Sequence, residues 1–398
     1  MSHVHKHFIP HIIFLILGIL VLELIGKSVL IVSIYAFAIV IGALMLSWAA
    51  ESAEIIIPEG LALALVAWLQ VLPEFTIEAT IAWARDIPNL LANFTGANRV
   101  LIGIGWPIVF FTTIFFYWKR HKKFYGEIKL KAEHSVEVIF LFFATIYFFF
   151  VYLTKKITII DSVILIILYI LYLRVISKLP HESRKRIKEL YGGVPKRIMN
   201  FKKNEAKLAI ILLFICGGGL IWIVAGPFYK GMLALSATLG VSQFLFIQWI
   251  APFLSEFPEK TSAFYWASKI KTAPVAMMNL ISSQVTQWTV LVAMIPIVLS
   301  IAVGSLDFLP LSGFLNNELM LTIATSLFAS VFLMKLRINI FEISSLLVLW
   351  VVQLIFVQLR ATIIFVYLGL IILEIIIYKK EMLNAFRAFK DIIREFVI

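Results

Sequence analysis

The sequence predicts an all-α polytopic membrane protein of about twelve transmembrane helices, arranged as two inverted five-helix repeats. The chain of 398 residues is 62% hydrophobic, against about 45–50% in a soluble domain. Apolar runs of roughly 20 residues, the length that crosses the hydrocarbon core, follow one another with short polar breaks. Two of these stretches, offset by 185 or 186 positions, echo each other around a Pro-Glu pair.

Spans are expected near 8–26, 29–57, 59–84, 88–117, 136–153 and 157–177, then near 208–237, 240–268, 273–302, 318–335, 338–358 and 361–378. They group as an extra N-terminal span (1–28), a first repeat (29–178), a basic loop (179–206), a second repeat (207–358), and an extra span with a basic tail (359–398). The run at 8–26 is superficially like a signal peptide. It lacks a small-residue cleavage site and leads straight into another apolar run, so it is read as a retained span. His3, His5 and His7 ahead of it are read as a frayed tail. The single cysteine, Cys216, excludes an intramolecular disulfide and any multi-cysteine metal site; in an apolar run before three glycines, it is expected only to pack.

Charge gives an independent test. A formal net charge of +12 would suggest nucleic acid in a soluble chain. Here the cations gather in loops, so no nucleic-acid partner is expected. Lys119, Arg120, Lys122, Lys123, Lys129 and Lys131, the central loop and the tail all fall on one side of the expected spans, joined by Lys269, Lys271, Lys335 and Arg337. The other side keeps scattered cations such as Lys27, Lys155, Lys156 and Lys230. The positive-inside rule then makes the basic side cytoplasmic in a multi-pass cell-membrane protein.

The repeat is read from three matched positions. Pro73-Glu74 maps onto Pro258-Glu259 with an offset of 259 less 74, or 185; Pro88 maps onto Pro274 and Asn93 onto Asn279 with an offset of 186. Five expected spans separate the copies, and an odd number inverts one relative to the other. Inverted repeats with broken helices and a mid-membrane site are a transporter architecture.

The residues in these hairpins point to a cation. A carboxylate inside a bilayer costs roughly 2.5–3.5 kcal/mol on insertion scales, so Glu74 and Glu259 in matching places suggest an ion site. Proline removes a backbone donor and disturbs its helix, and freed carbonyls can face an ion or a water-filled cavity. Gln70, Glu74 and Glu78 recur every four residues and share one helix face, although Glu78 is also compatible with a solvated place near the membrane surface. Ser255 and Glu259 share a face, and Glu256 stands within reach of Glu259. Asn279, Ser283 and Gln287 form a polar stripe thickened by Ser282, Gln284 and Thr286, which helix–helix hydrogen bonding would also explain. The matching first-half span keeps Asn93 and Asn98. All these donors are hard oxygens, suited to Ca²⁺ or Na⁺ rather than Zn²⁺ or copper. Two facing carboxylates neutralise one divalent ion; when it leaves they repel and must take up protons or monovalent cations. Exchange follows from charge balance.

The two segments resemble the α-repeats of the calcium/cation antiporter superfamily, which includes sodium/calcium and proton/calcium exchangers. LPEF followed by NFTGAN is similar to the family's G-T-S-L-P-E … G-N-x-x-G-S-N pattern. FPEKTSAFYWASKIK followed by NLISSQVTQ and Ile295-Pro296 is similar to the proton/cation branch, which has a Glu, a Lys-x-Lys and a Ser-Ser-x-Gln there. The resemblance implies that Glu74 and Glu259 are the paired ion-binding glutamates, that Asn93 and Asn279 match the Asn of Gly-Asn, and that Ser283 and Gln287 match the two following ligand positions. Leu69-Gln70-Val71 and Leu254-Ser255-Glu256 depart from the Gly-Thr-Ser, and Ala97 and Leu101 replace a ligand Ser and Asn. Several sodium-site oxygens are therefore missing, which favours protons or a changed ion preference.

The expected function is a secondary-active antiporter exchanging Ca²⁺, or another hard cation, for H⁺ or Na⁺ by alternating access. Its partners are the lipid bilayer and small cations. It needs no cofactor beyond the transported ions and has no enzyme activity; its oligomeric state is left open. Two rivals stand beside this reading. One is a non-transporting membrane scaffold derived from an antiporter, which Ala97 and Leu101 favour. The other is an integral-membrane enzyme, for which the chain offers no nucleotide loop and no reactive cysteine in a basic setting.

Overall fold

Helices stand wherever the sequence past residue 28 predicts a span. The computed structural model describes residues 27–56, 59–124, 126–179 and 192–397, with side chains left undescribed at 27–28, from 54 to 70 and at 397. The expected span at 8–26, the N-terminal histidines and part of the central loop lie outside the described residues. The first half comprises α1 (Lys27–Ile56), α2 (Glu59–Trp83), α3 (Ile87–Val100), α4 (Trp106–His121), α5 (Ser135–Thr154) and α6 (Ile159–Ile176). A short α7 (Gly193–Ile198) precedes α8 (Lys203–Thr238), α9 (Gln243–Ser255), α10 (Phe257–Ser268), α11 (Ala273–Thr286), α12 (Val292–Val303), α13 (Phe314–Leu333), α14 (Ile340–Ile355), α15 (Arg360–Ile377) and α16 (Asn384–Ile392).

Among the described residues, seven helical stretches are long and apolar enough to cross a membrane. They are Val29–Ala53, Ile87–His121, Ala132–Thr154, Ile159–Ile176, Lys203–Thr238, Ala273–Val303 and Val357–Ile377; Gln243–Ser255 and Ile340–Ile355 are shorter apolar helices. The outer faces carry large apolar side chains in the open, such as Ile160, Trp222, Ile223, Phe365 and Ile376. In water so much exposed apolar surface would drive association; on these helices it is the surface that lipid covers. Cys216 is exposed rather than packed.

The two Pro-Glu segments fold differently. Pro73 lies inside a continuous α2, so the break expected there does not occur. The expected span 240–268 is divided instead: α9 ends at Ser255, Glu256 leaves helical geometry, and Pro258 sits in the first turn of α10. A proline costs nothing in a first turn, where its missing N–H has no partner to lose, so Pro258 opens α10 without interrupting it.

Two π turns lie in matching places. Leu101–Gly105 joins α3 to α4, and Gln287–Leu291 joins α11 to α12; 287 less 101 gives the same 186 as the prolines and asparagines. A π turn inserts one residue and re-aims the side chains around it, and such turns recur at functional sites.

Close approach at glycine sets the crossing of α3 with α9. A Cβ on Gly96 would collide with the backbone carbonyl of Gln248, so only glycine lets these two backbones touch. On the other half of the molecule, α1 packs along α8, with Gly42 against Ile221 and Gly217 against the Gly42 carbonyl.

Two short antiparallel clips tie the halves together. β1 (Glu127–Lys129) pairs with β4 (Arg337–Asn339), with Lys129 opposite Arg337. β2 (Lys156–Ile157) pairs with β3 (Leu309–Pro310). Lys129 and Arg337 are therefore neighbours, as the charge reading requires, and Arg120 reaches the Ser268 carbonyl. Lys156 lies with the 303–313 loop, where Arg85 also pairs with Asp307 at 2.9 Å. Lys335, counted from sequence among the loop cations, is instead buried: its ammonium pairs with Glu342 and, at 3.0 Å, with Glu374, and lies over the Tyr378 ring.

Candidate cation site

Glu74 and Glu78 stand one turn apart on α2, and both are buried. Facing Glu74 is the α9–α10 junction, which presents Ser255, Glu256, Glu259 and Lys260, all buried. Placing Glu256 in the non-helical link and Glu259 in the first turn of α10 turns the two carboxylates inward from a single break. The third wall is α11 with its π turn.

Gln287, the first residue of that turn, joins these walls. Its Nε2 donates to Glu256 Oε1 at 2.8 Å and lies 3.2 and 3.3 Å from the two oxygens of Glu74. Glu74 and Glu256, 182 positions apart, thus share one amide. The second oxygen of Glu256 pairs with the Lys260 ammonium. Glu259 lies within electrostatic reach of Glu74 and Glu256, beside Ser283.

Several buried oxygens in this region have no protein donor. They include Oε2 of Glu259 and Oε1 of Gln287 and, elsewhere on α2 beside Asn93, both carboxylate oxygens of Glu78. A buried acceptor left without a donor is costly, and a cation is the partner that a group of such acceptors fits. Among the described residues no group of three His, Cys, Asp or Glu side chains is arranged as a metal cage. The carboxylates are bridged by Gln287 and Lys260 instead.

The other sequence candidates occupy different places. Asn93 is buried and neighbours Glu78; the structure buries Glu78 completely, which removes the solvated alternative. Asn98 and Gln284 pair with each other, Nε2 to Oδ1 at 2.5 Å, while Asn98 Nδ2 donates to the Phe94 carbonyl. They also lie 186 positions apart and bridge α3 to α11. Ser282 shares a 2.7 Å hydrogen bond with Tyr172. Ser255 Oγ points back to the Pro252 carbonyl at 3.4 Å. Asn279 is half-buried, and its Nδ2 has no acceptor. The side chain of Gln70 lies outside the described residues. The polar stripe therefore serves several partners, with Ser283 and Gln287 turned to the carboxylates and Ser282 and Gln284 turned to Tyr172 and Asn98.

Sequence reasoning passed over Lys260 and a second buried centre. Glu318 on α13 accepts from Arg99 at 2.5 Å through Oε2 and from Arg360 at 2.6 Å through Oε1. Gln248 Nε2 joins Oε2 at 3.0 Å, and Arg99 also donates to Gln353 Oε1 at 2.8 Å. Both guanidiniums lie over the Trp249 ring, at 5.2 and 5.7 Å. This cluster ties α3 to α9, α13, α14 and α15. The available signal was a charged residue within an apolar run: Arg99 in NFTGANRVLIGIG, and Lys260 in FPEKTSAFYW.

The model of the sodium/calcium exchanger protein family matches residues 27–178 and 209–359. The chain belongs to that family. Both matched segments contain one of the Pro-Glu elements described above. As an exchanger-family member the chain is a transmembrane transporter, not an enzyme, and its several apolar helices make it multi-pass. The solved H⁺/Ca²⁺ exchanger CAX is 33% identical, with a TM-score of 0.84 over 98% of this chain and 99% of that chain. Native YfkE shares the fold at 16% identity and a TM-score of 0.53, covering 85% of this chain and 95% of that one. The sodium-calcium exchanger NCX_Mj, soaked with 2.5 mM Na⁺ and 0.1 mM Ca²⁺, shares it at 17% identity and a TM-score of 0.51, covering 83% and 98%. No curated protein matches the chain.

Proposed function

We propose that this member of the exchanger family is a Ca²⁺/H⁺ antiporter working by alternating access at the Glu74–Glu259 centre. The observation that carries the reading is the convergence of Glu74, Glu256 and Glu259, from two distant Pro-Glu segments, on Gln287 and Ser283. Hard oxygens with unpartnered lone pairs fit Ca²⁺. Protons are favoured over sodium as the counter-ion for two reasons. Ala97 and Leu101 supply no oxygen at two positions where the sodium/calcium pattern has ligands, and the solved exchanger that is 33% identical is an H⁺/Ca²⁺ exchanger.

In this reading Glu74 and Glu259 bind the ion. Gln287 and Ser283 complete the shell, while Asn93, Asn279 and Ser255 line its approach. Glu78, Glu256, Asn98, Ser282 and Gln284 support it. The cargo ions are the only inorganic partners, and no cofactor takes part. The halves 29–178 and 207–358 act as inverted repeats within a twelve-span protein, with the segments 1–28 and 359–398 flanking them. The basic loops, including 179–206, face the cytoplasm of a cell membrane. When Ca²⁺ leaves, protons take its place on the carboxylates, so occupied sites cross the bilayer without a bare charge.

⁴⁵Ca²⁺ uptake into proteoliposomes under an imposed pH or Na⁺ gradient tests this. Flux driven by the pH gradient and abolished by Glu74→Gln and by Glu259→Gln is expected. Flux driven only by sodium would replace the counter-ion, and absence of any gradient-driven cation flux would leave a scaffold.

A further inference from the structure

Lys260 is a buried cation set among three carboxylates. Its side chain is 6% exposed and pairs with Glu256, one turn back across the α9–α10 junction, whose side chain is fully buried. The ammonium is also within electrostatic reach of Glu74 and Glu259. The Phe253 ring, 6.0 Å away, lies to one side of it. On the surface an i,i+4 pair of this kind would be a minor helix contact. In the interior of a membrane protein an ionisable side chain is costly and marks function.

Charge arithmetic gives it a role. Glu74, Glu256 and Glu259 with one ammonium leave two negative charges, the complement of one divalent ion. Gln287 couples the pair to the site, because the amide that holds Glu256 at 2.8 Å also faces Glu74. A positive charge fixed beside the carboxylates repels a divalent ion twice as strongly as a monovalent one. We propose that Lys260 is a tethered counter-cation. It neutralises part of the carboxylate set when no ion is bound and weakens divalent binding enough to permit release. The inference rests on the antiporter reading above, and it makes Lys260 an affinity-setting residue rather than a ligand.

Equilibrium ⁴⁵Ca²⁺ binding to the purified full-length protein in detergent, with flux on the same preparations, tests it. Lys260→Met is expected to tighten Ca²⁺ binding by about tenfold or more and to lower the maximal exchange rate, because release slows. Lys260→Arg keeps the charge and is expected to stay within about threefold of the native affinity. Removing the pair together, Glu256→Gln with Lys260→Met, restores the native charge count and is expected to reverse the tightening, lowering the affinity about tenfold or more from that of Lys260→Met alone. A lysine that merely braces Glu256 predicts the opposite sign: Lys260→Met would leave a buried carboxylate unpaired and bind Ca²⁺ no better than the native protein, which overturns the inference. If Lys260→Met does not fold, Lys260→Gln decides, since it removes the charge but keeps a polar end, and an affinity no tighter than native there also overturns the inference. A native protein that neither binds nor exchanges any divalent ion overturns the antiporter reading, and this inference with it. Native binding and exchange with an unshifted Lys260→Met overturn the inference alone.

Discussion

Glu318→Gln is the sharpest structural perturbation the molecule offers. Each oxygen of Glu318 receives a guanidinium, Arg99 at 2.5 Å on Oε2 and Arg360 at 2.6 Å on Oε1, and Gln248 adds a third donor at 3.0 Å. A glutamine cannot reproduce this. Whichever way its amide turns, an NH₂ group faces a guanidinium donor, and two buried cations are left without a carboxylate. Breaking a buried ion pair from one side costs about 3–5 kcal/mol, because the surviving charge stays desolvated. That corresponds to about 10²–10³·⁵ in the unfolding equilibrium at 1.4 kcal/mol per tenfold. Replacing the whole cluster, with Arg99→Met, Arg360→Met and Glu318→Leu together, removes the charges as well as the bonds and should recover most of that loss. Reversible unfolding in detergent, followed by tryptophan fluorescence, reads both, since Trp249 lies 5.2 and 5.7 Å from the two guanidinium carbons. A Glu318→Gln protein within about 1 kcal/mol of native would refute the reasoning, as would a triple variant less stable than the single one.

Gly96→Ala is expected to lower the thermal midpoint in detergent, because the added methyl meets the Gln248 backbone and α3 and α9 must part, at about 1–3 kcal/mol. Gly218→Ala, with open space around it, is the control and should be neutral or slightly stabilising. Asn98→Leu strands the Gln284 amide in the interior and should cost about 1–3 kcal/mol, whereas Asn98→Leu with Gln284→Leu should lie closer to native. A double variant worse than the summed singles, measured in the same unfolding assay, would contradict a simple bridging role.

Much of the fold was legible because hydrophobic length and loop charge are strong, local signals. The convergence of Glu74, Glu256 and Gln287 was partly legible too, since a carboxylate in an apolar run already singles out its position. What the sequence could not convey was which proline breaks its helix. Pro73 and Pro258 sit in nearly the same local context, yet α2 runs through while α10 starts afresh. The two differ at Glu256, which lies outside the helices and is held by Gln287 from the end of α11 and by Lys260 one turn on. The π turns were equally hidden, because one inserted residue leaves the apolar pattern intact while re-aiming every polar side chain near it. Neighbouring residues on α11 point about 100° apart, so Ser282 meets Tyr172 and Gln284 meets Asn98, while Ser283 and Gln287 meet the carboxylates. The Arg99–Glu318 clamp joins residues 219 positions apart, and no local pattern could pair them.

The most direct test of the central claim is a crystal structure of the protein soaked in Mn²⁺, with anomalous scattering used to locate the metal. A peak within coordinating distance of both the Glu74 and Glu259 carboxylates is predicted, weakened or lost in Glu259→Gln. Metal found only at the loop surfaces, or beside one carboxylate with the other turned away, would contradict it.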